Sequence, residues 1–217
     1  MHIPDGLISP QTFIPAFALA IPLWYVAWRQ VREVITDALL PQLAVFSALA
    51  FMLSTLMVPL PGGTAAHAIG VPLMALVLGP WLAFLGYSLV LLFQALVMGA
   101  GGITTLGLNA LAMGLVGAWT TIGATRSLGF AGDTVAVIGA VWVSIMVSAG
   151  LIAIILGIQP LIAQSDEGSP LFFPFGVSVT LPAVLLPHAI TAAGEAMLTL
   201  LIYRHAKRRG WIETTLS

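Results

Sequence analysis

The sequence predicts an all-α integral membrane protein, a compact bundle of about seven transmembrane helices. Of its 217 residues, 59% are hydrophobic and only 7% are charged, whereas soluble domains carry about 25% charged residues. Apolar runs of near-membrane length follow one another between short Pro- and Gly-rich breaks. We expect one transmembrane domain over residues 1–217, divided into an N-terminal segment (1–10), a helical bundle (11–204) and a cytoplasmic tail (205–217).

The apolar runs predict the helices in order. Six of them approach the roughly 20 residues that a membrane span requires; they lie at about 11–30, 38–58, 81–99, 104–125, 133–158 and 180–204. A shorter run at 64–79 predicts a short or partly re-entrant helix, which His67 would open. Because prolines and glycines end the helices on either side of it, the count is seven spans, or six and a half-span.

The basic residues predict the orientation. Seven crossings with the N-terminus outside put all seven of them on the inner side, where membrane proteins concentrate Lys and Arg. They are Arg29, Arg32, Arg126, Arg204, Lys207, Arg208 and Arg209. We therefore expect an external N-terminus and a cytoplasmic C-terminus, with His205 as a solvated tail residue.

The chain opens Met1-His2, which can chelate a metal ion. The terminal amine, the His2 amide and the His2 imidazole close two fused rings on one ion, and imidazole suits late first-row divalent metals. The opening lacks the basic region of a signal peptide, and the bulky His2 predicts that Met1 is retained. His67, among small residues, would add a fourth nitrogen. The alternative for His2 is that the terminus is frayed, and the alternative for His67 is a loop histidine that faces water.

Polar residues around a glycine-rich connection predict a cavity near this end. Gln94 begins the segment QALVMGAGGITTLGLNALAMG, which also contains Thr104, Thr105 and Asn109. Non-helical backbone at membrane depth lines a cavity or is buried in protein, although close packing through small residues is an alternative. Asp5 lies in a Pro-Asp-Gly turn, either as a plain turn residue or holding His2 in place.

His188 and Glu195 lie seven residues apart, on one face of the last helix. An intramembrane ionisable residue is a candidate functional residue. We interpret His188 as an outer-shell partner of the metal site, since such groups orient the ligating imidazoles. The alternative for both residues is an interhelical hydrogen bond without a ligand.

Several function classes are excluded by what the sequence lacks. It has no cysteine, so thiolate metal sites and disulfides are ruled out. It contains no HExxH, GxSxG or Walker A motif, which predicts a protein that is not an enzyme and cannot hydrolyse ATP alone. No basic stripe suggests nucleic-acid binding.

Four stretches resemble one family along nearly the whole chain: MHIPDG, the Gly-rich segment carrying His67, GGITTLGLNALAMG and PHAITAAGEA. The chain resembles the substrate-capture (S) component of nickel/cobalt energy-coupling-factor transporters, the CbiM/NikM family. The resemblance implies a six-helix core with an added N-terminal helix, whose terminus plugs the outer face. It implies Ni²⁺ or Co²⁺ held by the Met1 amine, the His2 amide nitrogen and imidazole, and the His67 imidazole.

The resemblance also implies partners and a location. These are a transmembrane coupling (T) subunit, cytoplasmic ABC-type ATPase subunits and often a small auxiliary membrane subunit, in the inner (plasma) membrane of a prokaryotic cell. Four nitrogens with a deprotonated amide favour nickel over cobalt. Two alternatives remain open: a stand-alone metal channel or secondary permease, and a membrane enzyme or scaffold whose histidines are structural.

Overall fold

A computed structural model describes residues 1–60 and 64–211, which form a helical bundle with one small β-ribbon. The helices are α1 Pro10–Val31, α2 Leu39–Thr55, α3 Val71–Leu78, α4 Pro80–Phe93, α5 Leu106–Asn109, α6 Val116–Leu128, α7 Asp133–Gly157, α8 Gln159–Ile162 and α9 Val177–Arg208. π-Helical turns extend α4 (Gln94–Met98) and join α5 to α6 (Ala110–Leu115), and a 3-10 turn (Gly129–Ala131) follows α6. Strands β1 (Val58–Leu60) and β2 (Thr64–Ala66) pair antiparallel, with Val58 opposite Ala66.

The predicted multi-pass, all-α fold is confirmed. Within the described ranges, five helical stretches are long and apolar enough to cross a membrane: Pro10–Val31, Pro80–Met98, Leu106–Ala131, Asp133–Ile162 and Val177–Arg208. Helix α2 is apolar and has 17 residues, so it measures about 25 Å at about 1.5 Å per residue. With the short α3, the described part of the chain thus contains six long apolar helices and a half-span.

The run at 64–79 is less helical than its composition predicts. Its first residues form strand β2, and the helix begins only at Val71. Gly70 adopts φ 73°, a left-handed conformation that no α-helix continues through, so the helix begins after it. Pro72 then occupies the first turn of α3. His67 therefore does not open a helix; it lies in the connection between β2 and α3.

Helix α9 extends beyond its predicted end. It continues to Arg208, so the segment predicted as a tail from residue 205 begins inside the helix. His205 lies in this extension, and its ring meets Trp211 edge-on with centroids 6.1 Å apart. Residues 212–217 of the predicted tail lie outside the described residues.

Helix α1 lies at the periphery of the bundle. Helix α7 packs mainly against α9 and α6, whereas α1 contacts α4 and α5. The residues that α1 buries are Ala16, Ala20, Ala27 and Val31. Small side chains let membrane helices approach closely, so α1 can carry the N-terminal segment against α5 while most of its surface remains exposed.

Candidate metal site at the N-terminus

The N-terminal segment inserts into the bundle. Met1 and Ile3 are fully buried and His2 is 5% exposed, although chain termini are ordinarily poorly ordered at the surface. The Met1 amine donates a hydrogen bond to the carbonyl oxygen of Ala65 in β2. The terminus therefore packs against the strand that leads to His67.

Asn109 and Thr105 hold the backbone just after His2. The Ile3 N–H donates to Asn109 Oδ1 at 3.0 Å, and Asn109 Nδ2 donates to the Ile3 carbonyl at 3.0 Å. The Thr105 hydroxyl donates to the same carbonyl at 2.6 Å. Because buried backbone groups require partners, these side chains specify where the terminus enters the bundle.

Asp5 fastens the N-terminal segment to the glycine-rich connection. Its carboxylate accepts the backbone N–H groups of Ile103 at 3.0 Å and Thr104 at 2.9 Å, and the Thr104 hydroxyl at 2.5 Å. A Cβ on Gly102 would lie 2.5 Å from the Asp5 backbone nitrogen. The predicted turn residue thus contacts the predicted loop, and Gly102 permits the close approach.

His2 and His67 lie face to face in the interior. Their ring centroids are 4.3 Å apart with an interplanar angle of 28°, and His67 is 2% exposed. A Cβ on Gly101 would lie 3.4 Å from His2 Cβ, so the glycine-rich connection lies against His2. The structure thus brings together the two histidines that the sequence singles out.

Burial keeps the nitrogen donors neutral. It lowers the pKa of the Met1 amine from 8.0 to about 4. Burial, and then the nearby terminal amine, lowers the pKa of both His2 and His67 well below 6.5. Metal ligands must be deprotonated to bind, and at neutral pH these three groups meet that requirement.

The His67 ring has a defined tautomer. Its Nδ1 lies 2.8 Å from the Ala68 carbonyl, and a carbonyl oxygen can only accept, so Nδ1 carries the hydrogen. The lone pair is then on Nε2. Among the described residues, this Nε2 is buried without a hydrogen-bond partner, and so are Nε2 of His2 and Nε2 of His188.

His188, Glu195 and Gln94, the other residues predicted to lie near the metal, make their hydrogen bonds to three different parts of the bundle. His188 is fully buried in α9, and its Nδ1 lies 2.7 Å from the Val184 carbonyl. Glu195 accepts two backbone N–H bonds from the segment after His67. Gln94 donates to the Ser54 hydroxyl at 2.5 Å, so this side-chain bond joins the π-helical extension of α4 to α2.

Backbone groups supply the contacts that side-chain patterns do not show. The Ala65 and Ala68 carbonyls and the N–H groups of Ile69 and Gly70 bond to the proposed site residues. In residues 1–60 and 64–211, no group of three or more His, Cys, Asp or Glu side chains is placed to hold one metal ion. The predicted ligand set contains only two such side chains, with the other two nitrogens from the backbone.

The fold matches that of solved metal-transport proteins. A solved structure of a truncated transition metal transporter has a TM-score of 0.91 and 37% sequence identity to this chain, covering 96% of this chain and 99% of the other. The fold is therefore that of a transition metal transporter.

The family follows from the sequence. Residues 2–211 match the family CbiM, described as a cobalt uptake substrate-specific transmembrane region, and the chain belongs to this family. The resemblance to nickel/cobalt transport proteins is thus confirmed.

Two curated relatives are nickel transport proteins by name. The probable fused nickel transport protein LarMN of Lactiplantibacillus plantarum is 37% identical over 96% of this chain, and the fused nickel transport protein NikMN of Rhodobacter capsulatus is 39% identical over 90%. The chain spans 65% and 58% of the lengths of these two relatives.

Proposed function

We propose that this protein captures a divalent transition-metal ion for import, with nickel as the favoured ion and cobalt as the second. It would act as the substrate-binding subunit of an ATP-driven transporter of the energy-coupling-factor type, without an ATPase site of its own. The observation that carries the proposal is the joint burial of the Met1 amine, His2 and His67 as neutral nitrogen donors. Buried titratable groups with strongly shifted pKa values cluster at functional sites.

The proposed ligands are the Met1 amine, the His2 amide nitrogen, the His2 imidazole and the His67 imidazole. The first two close a five-membered ring with the metal. Only Nδ1 of His2 is near enough to the amide nitrogen to close the adjoining six-membered ring. His67 would bind through Nε2, which is buried and without a partner among the described residues, while Nδ1–H is engaged by Ala68.

This donor set favours nickel. Four nitrogens that include a deprotonated amide suit the square-planar or tetragonal geometry preferred by Ni(II) and Cu(II), whereas Co(II) gains less from a strong in-plane field. The names of the two fused relatives refer to nickel transport, in agreement with this preference.

The charge distribution supports an outward-facing site. Lys207 and Arg204 near the end of α9 bond to Asp133 and Thr134 at the start of α7, at 2.5 Å and 2.7 Å. Phe173, in the connection at the other end of α7 and α9, donates to the Leu7 carbonyl at 3.3 Å. The basic end is thus opposite the N-terminal segment, as expected if the terminus is external and the basic residues are cytoplasmic.

The partners proposed for this subunit are a transmembrane coupling subunit, cytoplasmic ABC-type ATPases and a small auxiliary membrane subunit. The fused nature of the two named relatives supports the idea that additional transport segments accompany this region. The long apolar surfaces of the helices would contact lipid and the coupling subunit.

The deciding experiment lengthens the chain at its start. One glycine is inserted between Met1 and His2, and nickel affinity is measured on the purified protein by competition with a chelator. We expect loss of high-affinity binding, because the insertion enlarges the fused rings and moves the amine away from His2. Intact-mass measurement verifies that Met1 is the first residue and carries a free amine.

The matched control adds one glycine after Ser217, which should leave nickel affinity unchanged. His67→Ala should weaken binding by more than the roughly 100-fold typical of outer-shell changes. Full nickel affinity in both the N-terminally lengthened protein and His67→Ala would refute the site.

A further inference from the structure

Glu195 is a buried carboxylate that bonds to the backbone two and three residues after His67. It lies near the middle of α9 and is 3% exposed. Its Oε2 accepts the Ile69 N–H and its Oε1 accepts the Gly70 N–H, both at 2.7 Å. A charged acceptor makes such hydrogen bonds roughly twice as strong as neutral ones, so these two bonds hold the segment after His67 against α9.

A single peptide group connects this carboxylate to the His67 ring. The Ala68–Ile69 peptide donates its N–H to Glu195 and accepts the His67 Nδ1–H on its carbonyl at 2.8 Å. The chain of bonds therefore runs from the Glu195 carboxylate through one amide to Nδ1 of the imidazole. Nε2, the ring's other nitrogen, is the atom proposed to bind metal.

We infer that Glu195 is a positioning residue for the metal ligand His67, acting through the Ala68–Ile69 peptide. This inference rests on the proposed function, since it assigns a role toward the same ion. It differs from a carboxylate that bonds directly to a ligating histidine, because here the backbone amide transmits the interaction.

Two physical effects follow from the arrangement. A carboxylate that accepts the amide N–H polarises the peptide and makes its carbonyl a better acceptor. That carbonyl holds the hydrogen on Nδ1, which fixes the ring orientation and makes Nε2 a stronger donor. Loss of the hydrogen bond from the Ile69 N–H would therefore weaken the Nε2–metal bond without removing a ligand.

The arrangement also couples the site to helix α9. Glu195 and Ile69 are separated by 126 positions in the chain, so a displacement of α9 relative to α3 strains the His67 segment directly. During a transport cycle, such a displacement would weaken the bond between His67 and the metal ion, one of the four proposed metal–ligand bonds.

The test is a double-mutant cycle on nickel affinity with Glu195→Gln, His67→Ala and the double variant, each in the full chain in detergent. Gln keeps the shape, but it loses the charge and presents an NH₂ group to one of the two N–H donors. We expect Glu195→Gln to weaken nickel binding about 10- to 100-fold. In the His67→Ala background, where the terminal amine, amide and His2 still bind, we expect its effect to shrink to less than about threefold, since residues acting through one another are not additive.

Thr199→Val is the matched control, because Thr199 is a buried polar residue of α9 at 2% exposure, one turn beyond Glu195. It should leave nickel affinity and the ligand-field absorption of bound Ni(II) unchanged, whereas Glu195→Gln should shift that absorption to lower energy. If Glu195→Gln does not yield folded protein, Glu195→Asp replaces it in the same cycle.

The outcomes separate this inference from the proposed function. An equal loss in the wild-type and His67→Ala backgrounds, or no loss at all, overturns the role of Glu195 while leaving the site in place. Full nickel affinity in His67→Ala itself would instead overturn the site on which the inference rests.

Discussion

The carboxamide of Asn109 pairs with the backbone of Ile3 as a neighbouring strand would. Its Oδ1 accepts the Ile3 N–H and its Nδ2 donates to the Ile3 carbonyl, each at 3.0 Å. Asn109 is 1% exposed and Ile3 is fully buried, so water does not replace these bonds readily. The residue after the proposed chelating dipeptide is thereby held at a defined depth in the bundle.

Asn109→Ala should weaken metal capture by releasing the terminal segment. Leaving a buried N–H without its acceptor costs about 1–3 kcal/mol, and about 1.4 kcal/mol corresponds to tenfold in affinity. We therefore expect nickel affinity, measured by competition with a chelator, to fall about tenfold or more.

Gln159→Ala is the control for Asn109→Ala. Gln159 also anchors this segment, accepting the Ser9 N–H at 3.0 Å, but it does so beyond the ligand residues. It should lower thermal stability while changing nickel affinity less than Asn109→Ala. Equal affinities for wild type and Asn109→Ala would show that the clamp does not position the ligands.

Gly102→Ala should separate the glycine-rich connection from the terminal segment. The new Cβ would lie 2.5 Å from the Asp5 backbone nitrogen, a distance that forces the backbone to move. We expect lower thermal stability by about 1–3 kcal/mol, as for overpacked sites, and weaker nickel binding. Gly123→Ala, where a Cβ meets nothing within 4 Å, should be neutral or slightly stabilising, and a similar loss there would argue against a specific contact.

Asp5→Asn tests the ionic part of the same contact. Partial burial acts to raise the pKa of Asp5, but hydrogen bonds from Thr104 and neighbouring backbone N–H groups outweigh it and lower the pKa below 3.8. The carboxylate therefore stabilises the fold at pH values above 3.8, and this contribution is lost as pH falls through the lowered pKa. Because Asp5 is exposed, we expect only about 0.5–1.5 kcal/mol at pH 7.

The measurement for Asp5→Asn is thermal unfolding at a series of pH values. Wild type and variant should differ most at neutral pH and converge in acid, where the wild-type carboxyl is protonated. A difference that does not depend on pH would assign the effect to shape and not to charge.

Residue type and chain order were sufficient for most of the fold. The long apolar runs became α1, α2, α4, α6, α7 and α9 because membrane length and Pro- or Gly-rich breaks are local properties. The segment at 64–79 differed because a positive φ at Gly70 and the pairing of β2 with β1 both depend on the three-dimensional path. Apolar composition alone does not distinguish a buried strand from a helix.

The site was only partly predictable for a related reason. His2, His67 and Asn109 carry recognisable side chains, and the structure brings them together. The spacing of His188 and Glu195 placed both on one face of the last helix, but it did not indicate that the partners of Glu195 are the Ile69 and Gly70 N–H groups. Every residue except proline has such a group, so no sequence pattern marks those that a distant carboxylate will bind.

Proton release on metal binding should distinguish the folded site from the free terminal peptide. In the protein, the pKa of the Met1 amine is lowered to about 4 and those of His2 and His67 lie well below 6.5. At pH 6 these groups are already neutral, so nickel should displace about one proton, that of the His2 amide. A peptide Met-His-Ile has an ordinary amine and imidazole, and should release nearly three at the same pH.

Calorimetric titrations in buffers of different ionisation enthalpy measure this number directly. The same burial has a cost in the absence of metal: between pH 8.0 and about 4 the unfolded chain binds the terminal proton and the folded chain does not, so the free energy of unfolding should decrease as pH falls through this range. Acetylation of the Met1 amine removes that ionisable group and should flatten this part of the stability profile. For nickel binding, release of about three or more protons by the folded protein would mean that its amine and its two imidazoles are largely protonated before nickel binds, contrary to the burial of these groups.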